Sequence, residues 1–122
     1  MSDSNANAQG EEQFQEGNRG VRFPKVIDLI SYEKDSDSVV VTMLEDRPWG
    51  ESEEQLDQLK DKFNNYVDYV LDGWLFSQYP QYQSKKCVIR VQGTHPPDQN
   101  QSKFFEAMRR FCDEQNLGFD VR

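Results

Sequence analysis

The sequence of 122 residues has few of the side chains that build metal and redox sites, with one histidine and two cysteines. The cysteines, Cys87 and Cys112, belong to neither a Cys-x-x-Cys pair nor a Cys/His cluster, which excludes the common zinc and redox motifs. The oxygen ligands of a calcium loop, Asp-x-Asp-x-Asp-Gly, are also absent. We therefore expect no metal, no cofactor and no catalytic residues, and two reduced, buried thiols.

Long apolar segments are absent as well. No run approaches the roughly 18 residues that cross a membrane, and no basic segment followed by an apolar run comes after Met1, as in a signal peptide. The chain has 22 acidic and 14 basic residues, a net charge of −8. Because such a surface repels phosphate groups, we expect no nucleic-acid or membrane partner. These features predict a soluble, cytoplasmic protein.

Hydrophobic residues make up only 35% of the chain, and much of the deficit lies at the N-terminus. Residues 1–22 are polar, with Phe14 as an isolated aromatic, and cannot offset the entropy of ordering. We interpret residues 1–22 as a disordered tail; a short linear motif around Phe14 is the alternative. Residues 23–122 have the length of one α+β domain with a modest core.

Residue patterns in this domain predict four strands and two helices. The strands are expected at residues 26–32, 39–44, 86–92 and 118–121, from their β-branched content and length. An Asp/Ser turn makes the first two an antiparallel hairpin. The element order ββαβαβ predicts a two-layer α+β fold, with a four-strand mixed sheet and both helices on one face.

The long helix is expected from Ser52 to Gln78, with an interruption at Gly73. Its apolar stripe recurs at helical spacing and contains Leu56, Leu59, Phe63, Tyr66, Val67, Val70 and Trp74. Ser52 and Gln55 have the spacing of a capping box, as do Asp98 and Gln101 at the start of the second helix. Asn116 is expected to end the second helix in the left-handed conformation, with Leu117 folding back.

From Val26 to the end, the chain resembles a family of small bacterial domains of unknown function. The residues that carry the resemblance are Ile27-Asp28, Val39-Val40-Val41-Thr42, Trp49, Gln55-Leu56, Leu59, Lys62, Phe63-Asn64, Tyr66, Gly73-Trp74-Leu75, Tyr79-Pro80 and Val88-Ile89. The resemblance implies the ββαβαβ order and a bacterial source, and it supplies no activity or site residues.

His95 lies in a loop between a strand and a helix, where functional residues often occur. A catalytic histidine needs a nucleophile and an orienting carboxylate. Thr94 and Asp98 are close in sequence, so a small enzyme with a site near His95 is one hypothesis. An ordinary exposed loop histidine is the alternative that we favour.

Strand alternation predicts a partner surface on the face of the sheet away from the helices. Val40, Leu44 and Val88 would form an apolar patch there, with Thr42, Arg90 and Gln92 at its rim, and Trp49 is a further candidate contact. The alternatives are a wet sheet face on a monomer and a homodimer interface.

The leading functional hypothesis is a non-enzymatic bacterial domain that binds an unknown protein partner. The second is an immunity-like or antitoxin-like neutraliser of a basic toxin, since complementary charge accelerates encounter. The enzyme hypothesis is third.

Overall fold

The structure is a computed structural model and describes residues 20–22 and 26–122. The sheet has the order β1-β2-β3-β4. The first two strands are antiparallel, whereas β2, β3 and β4 are parallel to one another. The strands are β1 (Leu29–Glu33), β2 (Ser38–Glu45), β3 (Lys86–Gly93) and β4 (Gly118–Val121). Residues 1–19 of the predicted tail lie outside the described residues.

Three helices connect the parallel strands: α1 (Glu54–Leu71), the short α2 (Trp74–Gln78) and α3 (Gln99–Glu114). A 3-10 turn at Pro80–Tyr82 follows α2. Both crossovers step in the same direction along the sheet, so right-handed connections place their helices on one face. The predicted α+β fold, with a four-strand mixed sheet and helices packed on it, is confirmed; the additional helix comes from the break at Gly73.

The core lies between the helices and the inner face of the sheet. Val39, Val41 and Met43 of β2 are completely buried there. On the helix side, Phe63 of α1 makes edge contacts with Phe111 and Phe119, at ring-centroid distances of 6.1 and 5.9 Å. The predicted stripe of α1 is therefore its buried face as far as Val70.

Trp74 is the exception to the predicted stripe, because its side chain is 60% exposed. Gly73 has a φ of 86°, in the left-handed region, and α2 begins directly after it. This break changes the direction and phase of the helix, so Leu75, not Trp74, points into the core with 0% exposure. Extrapolation of the stripe across a left-handed residue was wrong for this physical reason.

The long helix was predicted to begin at Ser52, whereas α1 begins at Glu54. The capping box at Ser52 is wrong, since α1 has no side-chain cap. The Gln55 amide instead accepts from Gly50 N and donates to the carbonyl of Pro48, which ties the preceding loop to the helix. The second capping box, Asp98 with Gln101, is confirmed. At Asn116 the φ is 60°, as predicted for the end of α3.

The first strand starts at Leu29, not at Val26, because Asp28 leaves the ladder. Its backbone N–H donates to the Tyr66 hydroxyl at 2.8 Å, and its carboxylate accepts from Leu44 N at 2.9 Å. Val21, within the range assigned to the tail, is 1% exposed and belongs to the core. Residues 20–22 thus pack with the domain.

None of the helices in the described residues combines the length and the apolar character that a membrane-spanning helix needs.

Candidate functional site

The predicted partner surface lies on the outer face of the sheet, as strand alternation requires, but its centre is closed. Val40 and Thr42 are 0% and 1% exposed. Leu44 and Val88 are partly exposed, and Gln92 is exposed. In this conformation a partner could reach only the margins of the predicted apolar patch.

Arg90 is the main reason for this closure. It donates to Glu33 on β1 and to Asp120 on β4, at 2.8 and 2.9 Å. In the strand register, Arg90 is level with Thr42 and Glu33 is level with Ser38. The Arg90–Glu33 pair therefore crosses the row that contains Val40. Burial alone would lower the pKa of Arg90, but the hydrogen bonds to the two carboxylates outweigh it and raise that pKa.

Trp49 does not lie on this outer face. Its ring makes an edge contact with Phe105 of α3 at 5.4 Å between centroids. Its indole N–H donates to the backbone carbonyl of His95 at 2.9 Å. Trp49 therefore closes the carboxyl edge of the sheet by joining the loop after β2 to the loop after β3.

Of the two described residues considered as partners of His95, Thr94 contacts its ring and the carboxylate of Asp98 does not. The Thr94 hydroxyl lies 3.0 Å from His95 Nδ1 and also bonds the carbonyl of Asp46 at 3.1 Å. The carboxylate of Asp98 caps α3 through Asn100 N and is not directed at the histidine. His95 is exposed. The sequence neighbours are thus used for loop structure, and the third element of a triad is missing among these residues.

Both cysteines are free and buried. Burial raises the pKa of the Cys87 thiol to about 12 and that of Cys112 to about 11. Thiols in this state are poor nucleophiles at neutral pH. Among the described residues, no group of three or more His, Cys, Asp or Glu side chains could hold a metal ion.

The most exposed large apolar side chains of the described chain include Trp74 at 60% and Leu71 at 47%. They flank Gly73, where α1 gives way to α2. A groove of 630 Å³ begins at this break and reaches the start of β3; Leu71, Phe76, Cys87 and Leu117 form its apolar wall. Its volume is in the range of about 300–1,000 Å³ typical of binding pockets. We call Leu71, Trp74 and this groove the helix-break surface.

A buried polar cluster lies against the middle of α1, and the sequence analysis did not identify it. Lys62 Nζ and Asp28 Oδ1 are 2.8 Å apart, and both side chains have 0% exposure. Burial lowers the pKa of Lys62, and the hydrogen bond and charge of Asp28 offset this only in part. Burial also raises the pKa of Tyr66 well above its usual value, with a further contribution from the Asp28 charge.

The only advance signal for this cluster was a lysine within the apolar stripe of α1. A lysine is rarely fully buried unless it is paired, so Lys62 could have been assigned a buried acidic partner. Asp28 is 34 positions before Lys62 in the sequence, so the sequence does not show which acidic residue is the partner.

Comparison with known proteins gives a family and no activity. No curated protein sequence and no solved structure matches the chain. Residues 20–122 match a family of unknown function (DUF6572). The match begins at Gly20, where the described segment packs against the domain, and it continues to the last residue. The chain therefore belongs to this family of unknown function, DUF6572.

Proposed function

We propose that this chain is a non-enzymatic, cytoplasmic protein-interaction domain of a bacterium, and that the helix-break surface is where its partner binds. The observation that carries the proposal is the exposure of Trp74, at 60%. Tryptophan is the residue type most enriched among the residues that dominate binding energy at interfaces. Burying this ring and Leu71 against a partner would remove two large apolar side chains from water.

The surroundings of Trp74 support this assignment. Leu71 lies three residues before it and lines the groove, which offers a concave site of mixed apolar and polar side chains. Interfaces commonly combine such an aromatic anchor with a neighbouring pocket and a polar rim. Here the polar groups along the groove come from Gln83, Ser84, Lys85, Lys86 and Asn116.

The test is chemical crosslinking in the bacterium of origin, followed by identification of the captured proteins by mass spectrometry. The unmodified chain should capture a partner in defined stoichiometry, and Trp74→Ala should reduce its yield at least tenfold. Phe111→Ala is the control for loss of an exposed aromatic ring, because Phe111 is 40% exposed but lies on α3. Since its ring also contacts Phe63, capture is compared at a temperature at which circular dichroism shows both variants to be folded. Equal capture by the unmodified chain and Trp74→Ala would eliminate the helix-break surface as the binding site.

A second candidate, neutralisation of a basic toxin, is supported by two acidic side chains beside this surface, whereas Lys85 and Lys86, which line the groove, would not attract a basic partner. Asp68 and Asp72 are exposed and lie one helical turn apart around Leu71. Together with the net charge of −8, they would attract a basic partner and accelerate its encounter. This candidate requires the captured partner to be basic, to inhibit growth when expressed alone, and to be neutralised by co-expression of this chain. A neutral or acidic partner without toxicity would leave the general interaction role and exclude the neutraliser.

A further inference from the structure

The two edges of the sheet differ in how they are protected. An edge strand presents unpaired backbone N–H and C=O groups, and natural proteins blunt such edges with lysine, proline, a bulge or a covering side chain. In the order β1-β2-β3-β4, the edge strands are β1 and β4. Hydrogen bonds at the ends of the strands show which backbone groups each edge presents.

At the β4 edge, a side chain of α3 occupies the outward backbone. The Arg122 N–H donates to the Val91 carbonyl, and the Arg122 carbonyl accepts from Gly93 N, both at 2.8 Å. Because this direction alternates along a strand, the main chain of Phe119 points away from β3. Its carbonyl accepts from Arg109 Nη1 at 2.9 Å, and the Arg109 guanidinium lies over the Phe119 ring at 5.6 Å. The β4 edge is therefore covered.

The β1 edge is reached by the same reasoning from the end of β2. Leu44 N donates to Asp28 Oδ2, and the Leu44 carbonyl accepts from Val21 N, so the main chain of Leu44 points to the β1 side. Every second residue of β2 shares this direction, and the register pairs three of them with residues 29, 31 and 33 of β1. The two residues between these three in β1 consequently point their backbone groups away from the sheet.

These outward residues of β1 are Ile30 and Tyr32. No hydrogen bond described outside the β1–β2 ladder involves the main chain of either residue. The strand contains neither lysine nor proline, and its one-to-one register with β2 has no bulge. Tyr32 is 40% exposed. In the described part of the chain, the β1 edge thus has none of the devices that blunt the β4 edge or edges in general.

We propose that two copies of the chain pair along β1, antiparallel and about a two-fold axis at Ser31, so that the two four-strand sheets become continuous. This axis places Ile30 opposite Tyr32 of the second copy, and the reverse. Both residues present outward N–H and C=O groups, so each of these pairs exchanges two hydrogen bonds. The contact is self-complementary, as a two-fold interface requires, and it is a case of strand addition to an open edge.

The side chains of β1 favour a second copy over an unrelated strand. On the helix face, each pair joins β-branched Ile30 to aromatic Tyr32, which is a favourable cross-strand combination. On the outer face, the small side chain of Ser31 meets Ser31 of the second copy.

The charge on β1 is also placed well for self-pairing. Glu33, the one charged residue of the strand, falls opposite Leu29 of the second copy and not opposite itself. Its carboxylate already binds Arg90 at 2.8 Å. Like charges are therefore not apposed across the two-fold axis, although the chain has a net charge of −8.

The pairing breaks no described contact. The hydrogen bonds between β1 and β2 use the opposite side of the strand, and the Tyr32 hydroxyl continues to donate to Asp37. An open edge can therefore pair without prior unfolding of any described segment.

The first test is amide hydrogen exchange of the unmodified chain at low and high protein concentration. Pairing should slow exchange of the Ile30 and Tyr32 amides about tenfold or more at the higher concentration. The Phe119 amide, which lies on the β4 edge, is the control and should not change. Absence of concentration-dependent protection at Ile30 and Tyr32 would overturn the proposal, as would equal protection of Phe119.

The second test is sedimentation velocity of the full chain and two variants at Ser31, which is partly exposed. Ser31→Lys places two like charges side by side at the axis, whereas Ser31→Thr keeps the hydroxyl and is the matched control. The unmodified chain and Ser31→Thr should dimerise with similar Kd, and Ser31→Lys should raise the Kd about tenfold or more. Circular dichroism checks that all three proteins are folded.

A chain that stays monomeric at every concentration would exclude the second copy as the occupant, even if β1 pairs with a strand of another protein. Equal dimerisation of the three proteins would place the interface elsewhere and also overturn the proposal. Neither result bears on capture of a different protein through Trp74, so the two proposals can fail separately.

Discussion

At the scale of single residues, the buried ion pair of Lys62 and Asp28 has a large expected effect on stability. Lys62→Met removes the cation and leaves the carboxylate of Asp28, which is 0% exposed, without its counter-charge. Breaking a buried pair on one side typically costs about 3–5 kcal/mol. We expect a loss of this size in urea unfolding. Lys60→Met, at an exposed position on the same helix, should change stability by less than about 0.5 kcal/mol. A loss below about 1 kcal/mol for Lys62→Met would contradict this.

Sequence alone could predict the environment of such residues better than their partners. Strand alternation predicted that Arg90 lies on the outer face, as it does in the structure. The same analysis assigned Arg90 to the polar rim of an apolar patch. The structure shows its guanidinium tied to Glu33, 57 residues away in sequence, and to Asp120. Such pairings depend on the strand order and register, which the local pattern around Arg90 does not contain. For the candidate site, the sequence could therefore predict which face of the sheet Arg90 lies on, but not its hydrogen-bond partners.

The raised pKa values of the two buried thiols predict that the protein loses stability at high pH. Their folded pKa values, about 12 for Cys87 and about 11 for Cys112, lie above the ordinary value of 9.0. Between these values the unfolded chain has released thiol protons that the folded chain still binds, so unfolding becomes more favourable as pH rises. The stabilisation is fully present below pH 9 and should fall by about 1–1.5 kcal/mol per thiol at pH 10.

The measurement for the thiols is urea unfolding at pH 7.5 and pH 10, on the unmodified chain and on a Cys87→Ala/Cys112→Ala variant. Tyrosines and lysines titrate in both proteins, so the difference in pH dependence isolates the thiols. The variant should lose about 2–3 kcal/mol less between the two pH values. Identical pH dependence in the two proteins would show that the thiols are not the cause.

At the scale of secondary-structure elements, the packing of α1 depends on Phe63. Its ring is 4% exposed and contacts Phe111 of α3 and Phe119 of β4. Phe63→Ala should destabilise the fold by about 3–5 kcal/mol, since the cavity would lie where three elements meet. Denaturant unfolding gives the value, with Asn64→Ala at an exposed neighbouring position as the control. A loss below about 1 kcal/mol would assign Phe63 to a face that is not in the core.

The break between α1 and α2 depends on the conformation of Gly73. A Cβ at this position would meet no atom within 4 Å, but the φ of 86° is unfavourable for a side chain. Gly73→Ala should therefore cost about 1–2 kcal/mol through backbone strain alone. Gly73→Asn should cost less, because asparagine tolerates this region. Thermal or urea unfolding of the two variants checks the order; a more stable alanine variant would show that the helix can continue through the break.

Local sequence signals predicted the ends of helices best where the interaction involved only residues within one helical turn. The Asp98 and Gln101 capping box is such a case, because both partners lie within one helical turn. Ser52 and Gln55 have the same spacing, yet Gln55 binds the Pro48–Gly50 loop instead. The competing partners of Gln55 come from a loop whose path is set by tertiary contacts. For that reason the first capping box could not be excluded from spacing alone.

At the scale of the whole molecule, the fold was predictable because its parts follow general rules. A short acidic turn indicated the β1–β2 hairpin, and the element order ββαβαβ indicated a mixed sheet with the helices on one face. The order β1-β2-β3-β4 was not predictable from these signals, because each helix could return its strand to either edge of the sheet. The covering of the outer face depends on this order and was therefore missed.

The outer face gives a prediction for the assembly of the molecule. Arg90 spans from β3 towards Glu33 on β1, over the row of Val40, and also binds Asp120 on β4. Arg90→Ala would remove this cover and leave two carboxylates without their cation. Val40 and Val88 would then be exposed together on a sheet face, a surface that favours association with a second copy. We expect lower stability, by about 1–3 kcal/mol, together with increased self-association.

Sedimentation velocity over a range of concentrations measures this effect. Arg90→Ala should show a higher average mass than the unmodified chain at the same concentration, whereas Arg110→Ala, at an exposed position on α3, should not. Val40→Lys is less suitable, because Val40 is 0% exposed and the substitution would bury an unpaired charge. If the unmodified chain is already dimeric and Arg90→Ala is monomeric, then Arg90 holds an interface rather than covering a face. That result would indicate that the outer face, and not the helix-break surface, is the binding surface.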